Sequence, residues 1–198
     1  MKAIITIIAT AAAMLAAVAV YGQPKTKLLP DETVLLYADA FNVTNDPVHG
    51  DKIVCAGFEM AEKNGLEGEE NHPENGNIGN ISDYARVDLY FPKKANGQMI
   101  VVCPGGGYSI VSSYNEGVYV AEWMLERGIT VAVVKYRLPN GHCMVPHADV
   151  ENAFRYCRAN ASKWGITQIG VMGFSAGGHL AATTSTMWTE DQTRPDFS

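Results

Sequence analysis

The sequence predicts an α/β domain whose mostly parallel sheet is covered by helices on both faces. This prediction rests on short apolar segments typical of buried strands, each followed by a segment of helical character. Three such pairs follow one another along the second half of the chain, and this alternation is typical of parallel strands joined by crossover helices. The strands are predicted at 99–103, 129–135 and 168–172, and the helices at about 116–127, 148–163 and 176–187.

Two further strands and a long irregular region are predicted before these pairs. Residues 33–38 could form an early strand, and residues 84–91 alternate between apolar and polar side chains, which predicts a half-buried strand ended by Pro92. The intervening residues are rich in Gly, Asn and Glu. The run 64–77 is expected to be an exposed loop, with calcium binding by its acidic cluster as the weaker alternative. The predicted divisions are a leader (1–22), an irregular N-terminal region (23–80) and one α/β domain (81–198).

Composition and charge exclude several classes of protein. The 198 residues are 47% hydrophobic and 18% charged, enough for one domain with a core. There are 15 Lys and Arg against 21 Asp and Glu, a net charge of −6 without a basic cluster, so nucleic acid is not an expected partner. No Cys/His spacing suggests zinc, and no cofactor or metal is expected.

The first twenty-two residues predict export. Lys2 is followed by the apolar run 3–20, the pattern of a secretory signal peptide, and cleavage is favoured before Gln23. The run is marginally long enough to span a bilayer, so an uncleaved anchor remains the alternative. After cleavage we expect a secreted or periplasmic protein without stable membrane insertion.

Export permits disulfides among the four cysteines. They could pair in three ways, between which the sequence does not decide. Cys103 lies in an apolar strand and is expected to be a buried small hydrophobe, and Cys143 with Cys157 is the pair to test first.

A nucleophile elbow is predicted where the last apolar strand meets its helix. Gly173-Phe-Ser175-Ala-Gly177 is the pattern Gly-x-Ser-x-Gly, which places a serine on a sharp strand-to-helix turn with its hydroxyl above the sheet. The glycines let the two backbones approach, and the helix N-terminus directs free N–H groups at the reacting centre. Gly177 and Gly178 together open the helix at a cost of about 1 kcal/mol each against alanine, so something must require their missing side chains. The alternative is an ordinary tight turn.

A second glycine motif follows the strand 99–103. It reads Pro104-Gly-Gly-Gly-Tyr108, with no following Lys-Ser/Thr and no Gly-x-Gly-x-x-Gly, which disfavours nucleotide binding. Acyl transfer passes through an oxyanion that needs at least two N–H donors, and such a loop supplies them beside a nucleophile elbow. We therefore predict an oxyanion hole formed by the N–H groups of Gly106, Gly107 and Ala176, with Tyr108 lining the substrate pocket.

Together these segments resemble a known family. The residues 102–108, 164–166, 170–182 and 194–197 are similar to the secreted bacterial esterases of the α/β-hydrolase fold, more narrowly the acetyl- or feruloyl-xylan-esterase-like group. Related lipases have His at the position of Pro104, and the esterase group shares this departure from the lipase pattern. The resemblance covers about residues 80–198 and implies that Ser175 is the nucleophile of an enzyme that deacylates plant polysaccharide or its oligosaccharides.

The rest of the expected triad is absent from the sequence. In this fold the acid and then the histidine follow the serine, but only His179 follows Ser175 and no histidine follows an acid there. His179 is expected to support the elbow rather than to act as the base, and His142 and His147 to be surface or structural residues. We expect an N-terminal fragment of an α/β-hydrolase fold whose C-terminal part, acid and histidine are missing, with little or no hydrolysis of its own.

Two other functions stay open. One is a peptidase or lipid esterase of the same fold, and the other is a non-catalytic exported α/β binding protein in which the elbow is only structural. The acyl group, the sugar and the oligomeric state are not predicted.

Overall fold

The computed structural model describes residues 28–38 and 52–198. The predicted leader, its cleavage site and the start of the irregular region lie outside the described residues. Within the described ranges, no helix combines the length and the apolar character needed to cross a membrane.

Eight strands and three α-helices make up the described part of the chain. In chain order the strands are β1 (Glu32–Tyr37), β2 (Ile53–Phe58), β3 (Asn77–Gly79), β4 (Arg86–Tyr90), β5 (Gln98–Cys103), β6 (Ile110–Ser112), β7 (Thr130–Lys135) and β8 (Gln168–Gly173). The helices are α1 (Tyr119–Leu125), which continues from a π-helical turn (Tyr114–Val118), α2 (Met144–Trp164) and α3 (Ala176–Thr186).

Six of the strands form a mixed, largely parallel sheet in the order β2-β1-β4-β7-β5-β8, and β3 pairs with β6 in a separate ribbon. The pairs β1/β2, β5/β7 and β5/β8 are parallel, whereas β4 runs antiparallel to both of its neighbours. Side chains from α2 and α3 pack on one face of the sheet and those of α1 on the other. The predicted fold class is confirmed.

The sheet begins earlier in the chain than the composition indicated. The region 23–80 was predicted to be irregular apart from an early strand, yet both β1 and β2 from this region pair into the sheet. The predicted exposed loop is also anchored, because Asn64 is 1% exposed and its amide donates to the carbonyls of Ile81 and Leu138. Strand pairing between distant segments, which local composition does not report, decides this part of the fold.

Strand β4 is fully buried, and the prediction of a half-buried strand was wrong. Its polar side chains are neutralised by partners inside the protein instead of facing water. Arg86 bonds Glu70 through both terminal nitrogens, and Asp88 pairs with Lys135 at 2.8 Å. A buried charge is tolerated when it is paired and hydrogen-bonded, so alternation of polar residues did not imply a solvent face here.

Helix α2 begins four residues before its predicted start. Pro146 lies in the first turn, where backbone N–H groups have no intrahelical acceptor and proline is tolerated. The helix ends at Trp164, within one residue of its predicted end, and Gly165 follows it with φ +68°. The earlier start places Asp149 within the helix, where it is fully buried and bonded to Arg137 and does not cap the helix.

All four cysteines are free thiols. Cys143 directly precedes α2 and is exposed, while Cys157 lies fourteen residues further along the chain, within the helix, and is fully buried. At a rise of about 1.5 Å per residue the two are about 21 Å apart, far beyond disulfide reach. The suggested pair is therefore excluded by the helix itself, whereas Cys103 is buried as expected.

Candidate active site

Ser175 occupies the turn between β8 and α3 in a backbone conformation that side chains rarely adopt. Its φ is +51° and its ψ is −118°, a geometry that costs about 1–3 kcal/mol and persists only when its surroundings impose it. The residue is exposed, so its hydroxyl is open to a ligand. The sequence pattern thus produces the strained strand-to-helix turn that was predicted.

The glycines around Ser175 are required because backbones meet there. A Cβ atom on Gly173 would lie 2.0 Å from the carbonyl oxygen of Gly177, so strand and helix could not approach with a side chain between them. A Cβ on Gly177 would lie 2.0 Å from the carbonyl oxygen of Cys103 and 2.5 Å from that of Pro104. Helix α3 therefore packs directly on the end of β5.

The glycine loop after β5 lies against the serine turn. A Cβ on Gly105 would stand 2.4 Å from the carbonyl oxygen of Phe174 and 3.1 Å from the Cβ of Ser175. Gly106 has φ +131°, and a Cβ there would clash with the carbonyl oxygen of Ile110 at 2.2 Å. Gly107 has φ +63° and is exposed with open space around it. The structure thus brings together the two predicted motifs.

Two side chains that the sequence did not single out hold this loop in place. The carboxylate of Glu116, in the π-helical turn, accepts the N–H of Gly105 at 2.6 Å. The hydroxyl of Tyr136, just after β7, donates to the carbonyl of Pro104 at 2.6 Å. Burial raises the pKa of Tyr136, so this hydroxyl keeps its proton and remains a donor. Nothing in the local sequence indicates either contact, since both depend on distant elements meeting.

The bond to Glu116 decides which N–H groups remain for an oxyanion. The N–H of Gly105 is occupied, whereas those of Gly106 and Gly107 have no hydrogen-bond acceptor among the residues the structure describes. Ala176 is the first residue of α3, where helical N–H groups lack an intrahelical acceptor. These are the three N–H groups named in the sequence analysis, and their role as oxyanion donors stays a prediction.

Tyr108 and His179 form a contact beside the serine. The hydroxyl of Tyr108 and Nδ1 of His179 are 2.8 Å apart, and the two rings meet edge to face with their centroids 6.0 Å apart. Tyr108 itself has φ +59°. His179 lies one helical turn after Ser175, and its ring is engaged with the glycine loop. This position agrees with a supporting role for His179 and leaves Tyr108 at the edge of the site.

The other described histidines lie elsewhere. His72 lies against Glu70 at 3.1 Å, exposed His142 pairs with Glu62 at 2.7 Å, and His147 is buried within α2. In the described ranges no histidine side chain is hydrogen-bonded to Ser175, and no group of three or more His, Cys, Asp or Glu side chains is placed to hold a metal ion.

Comparison with known proteins identifies a family that the sequence matches and solved structures with a similar fold. Residues 87–196 match the BD-FAE family. An acetylxylan esterase from Xylanibacter ruminicola is 43% identical over 123 residues, which cover 60% of this chain and 25% of that protein. A sugar hydrolase structure from Lactococcus lactis is 32% identical with a TM-score of 0.51, covering 57% of this chain and 47% of the other.

An acetyl ester-xyloside bifunctional hydrolase from Caldicellulosiruptor lactoaceticus has the same fold. Its structure is 24% identical with a TM-score of 0.52 and covers 86% of this chain and 57% of its own. The chain thus spans about a quarter of the length of the esterase from Xylanibacter ruminicola and about half of the two solved structures.

Proposed function

Because the chain belongs to the BD-FAE family, which its residues 87–196 match, we propose that it is a serine hydrolase of carboxylic esters with Ser175 as the nucleophile. One observation carries this proposal. Ser175 is held exposed at φ +51° with the glycine loop pressed against it, although that conformation is costly. A turn with only a structural role has no need of an exposed, strained serine facing unpaired N–H groups.

The geometry supports a two-step acyl transfer. The Oγ of Ser175 attacks the ester carbonyl carbon and gives its proton to a general base, and the carbonyl oxygen becomes an oxyanion. The N–H groups of Gly106, Gly107 and Ala176 stabilise that charge. The C–O bond to the alcohol then breaks, the alcohol leaves with the proton from the base, and water hydrolyses the acyl-serine by the same steps.

We propose that the base is a histidine outside these 198 residues, oriented by an acid that is likewise outside them. His179 is the one histidine next to the elbow among the described residues, and its Nδ1 is bonded to Tyr108 rather than to Ser175. His72 and His142 pair with Glu70 and Glu62, and His147 is buried within α2. The relative from Xylanibacter ruminicola is about four times as long as the matched segment, which leaves ample room for both residues.

The proposed substrates are acetyl or hydroxycinnamoyl (feruloyl) esters of plant polysaccharide or its oligosaccharides. The proposal is supported by the name of the Xylanibacter ruminicola relative, an acetylxylan esterase. Secretion or periplasmic location, proposed from the leader at 1–22, brings such an enzyme to a substrate that does not enter cells.

Kinetics on a substrate panel test this function. The full gene product would be assayed on acetylated xylan, methyl ferulate, a long-chain ester and a peptide, each beside its Ser175→Ala variant. We expect Ser175-dependent release of acetate or ferulate and little action on the last two substrates. Preference for the long-chain ester or the peptide would assign a lipid esterase or a peptidase instead, and no Ser175-dependent turnover on any substrate would leave a binding protein.

A further inference from the structure

A polar cleft of about 310 Å³ adjoins the proposed active site. It is within the size range of small-molecule sites. Tyr108 is part of its wall and also contacts His179, so the cleft starts beside the serine turn. The six lining residues carry no charge: Leu66, Asn80, Tyr108, Ser109, Leu138 and Asn140.

Three of the lining residues have strained backbones. Asn80, Tyr108 and Asn140 have φ of +56°, +59° and +43°. Ser175 is the one other non-glycine residue with positive φ in the described ranges. Such conformations cluster at sites where a ligand is held, and asparagine adopts them at lower cost than most residues.

Asparagine amides tie the walls of the cleft together. The side-chain NH₂ of Asn80 donates to the carbonyls of Glu67 and Glu69, and that of Asn140 donates to the carbonyl of Asn64. Asn64 in turn bonds the carbonyl of Leu138. These bonds fix the cleft before any ligand arrives, which reduces the ordering cost of binding.

The same bonds leave acceptor groups for a ligand. With both NH₂ groups engaged, no donor among the described residues bonds the Oδ1 of Asn80 or of Asn140. The exposed hydroxyl of Ser109 can both donate and accept. Leu66, Leu138 and the Tyr108 ring supply apolar surface. The cleft thus offers uncharged hydrogen-bond acceptors and donors beside apolar walls. This combination suits a neutral sugar ring, which carries hydroxyls at its rim and C–H groups on its faces.

We propose that this cleft, the Asn80–Asn140 cleft, binds a neutral sugar unit of the chain whose ester is cleaved at Ser175. The inference rests on the proposed esterase function for its role, but the binding itself does not require catalysis. In this proposal, specificity for the sugar comes from residues beside the reacting serine. Asn80 and Asn140 bind ring hydroxyls, and Tyr108 lies between the sugar and the ester.

The test compares binding and two activities in the full gene product. The variants are Asn140→Gly, which keeps the positive φ and removes the amide, and Leu66→Trp, which fills the cleft. Asn96→Gly is the matched control, because Asn96 is also an exposed loop asparagine whose amide donates to a backbone carbonyl. It lies before β5, at the end of that strand opposite the glycine loop. Xylotriose binding is measured by calorimetry, and kcat/KM is measured on acetylated xylo-oligosaccharide and on p-nitrophenyl acetate.

We expect both cleft variants to weaken xylotriose binding about tenfold or more, the effect of losing one or two hydrogen bonds or the space for the ring. The ratio of kcat/KM on the sugar ester to that on p-nitrophenyl acetate should fall by a similar factor, and Asn96→Gly should match the parent protein. Unchanged xylotriose binding in both variants, or equal losses on both esters, would overturn the subsite. If the parent protein hydrolysed neither ester, the esterase proposal would be refuted. The calorimetric measurement of xylotriose binding would still show whether the cleft binds a sugar.

Discussion

The carboxylate of Glu116 accepts the backbone N–H of Gly105 at 2.6 Å and thereby ties the π-helical turn to the loop that faces Ser175. On the other side of the loop, Tyr136 bonds the carbonyl of Pro104. The peptide between Pro104 and Gly105 is thus held at both of its polar groups. This arrangement holds the N–H groups of Gly106 and Gly107 in position but leaves them free to donate. A preorganised oxyanion hole requires such fixed, free donors.

Removing the Glu116 contact should lower turnover more than affinity. In the full gene product we expect Glu116→Ala to reduce kcat on p-nitrophenyl acetate by about ten- to hundredfold, because a loop misplaced by about 1 Å loses transition-state contacts. KM should change by less than about threefold, since few ground-state contacts are lost. Glu116→Gln keeps an acceptor oxygen in place and should recover most of kcat. Equal losses in the two variants would contradict a positioning role through this hydrogen bond.

The two glycines that open α3 should differ sharply in their tolerance of a methyl group. A Cβ on Gly177 would lie 2.0 Å from a backbone carbonyl oxygen, whereas one on Gly178 would lie 3.3 Å from its nearest neighbour, the carbonyl oxygen of Gly173. We expect Gly177→Ala to lower the free energy of unfolding by about 2–3 kcal/mol through overpacking. Gly178→Ala should stay within about 1 kcal/mol, because improved helix propensity offsets the tight contact. Urea denaturation of both variants measures the difference, and similar losses would show that the close packing of α3 on β5 is wrong.

The buried Arg137–Asp149 pair should be a major support of the fold. Both side chains are at most 1% exposed, and Asp149 also accepts the hydroxyl of Tyr37 and the backbone N–H of Arg137. Asp149→Ala leaves an uncompensated buried guanidinium, so we expect a loss of about 3–5 kcal/mol in the free energy of unfolding. Tyr37→Phe removes the three hydrogen bonds of the Tyr37 hydroxyl, to Asp149, Arg137 and Asn152, but leaves the ion pair, so it should cost less, about 2–3 kcal/mol. A loss below about 1 kcal/mol for Asp149→Ala, from urea denaturation, would contradict this assignment.

Acid should destabilise the protein through His147. Burial lowers the pKa of His147, an effect that the nearby Glu151 opposes and Arg155 reinforces. Below the ordinary pKa of about 6.5 the unfolded chain therefore binds a proton that the folded protein resists, so the free energy of unfolding falls as the pH drops through that value. His147→Gln should flatten this dependence between about pH 7.5 and 5.5, where other groups contribute less. An unchanged slope in denaturation midpoints would show that folding does not lower the pKa of His147.

The sequence predicted those parts of the site that depend on spacing within one short segment. The turn at Ser175 and the glycine loop follow from Gly-x-Ser-x-Gly and the glycine run, because a Cβ atom on Gly105, Gly106, Gly173 or Gly177 would lie 2.0–2.4 Å from a backbone carbonyl oxygen. Glu116 and Tyr136 could not be predicted, since each meets the loop only after a helical turn and a strand from other parts of the chain pack beside it.

The same distinction explains the errors in the fold. Alternation in β4 correctly indicated a strand but gave the wrong environment, because Glu70 and Lys135 neutralise its charges from outside the segment. The pairing of β2 with β1 likewise depends on a partner that lies before the undescribed residues 39–51. Local patterns specify local conformation, while burial of polar groups and strand pairing depend on the rest of the molecule.

The most direct test of Ser175 as the nucleophile is covalent labelling of the full gene product with a fluorophosphonate, read by mass spectrometry of the intact protein and its peptides. An activated serine beside an oxyanion hole should take up one phosphonyl group, on Ser175, and Ser175→Ala should take up none. Labelling at another serine, persistence of the adduct in Ser175→Ala, or no adduct in the parent protein would contradict the assignment.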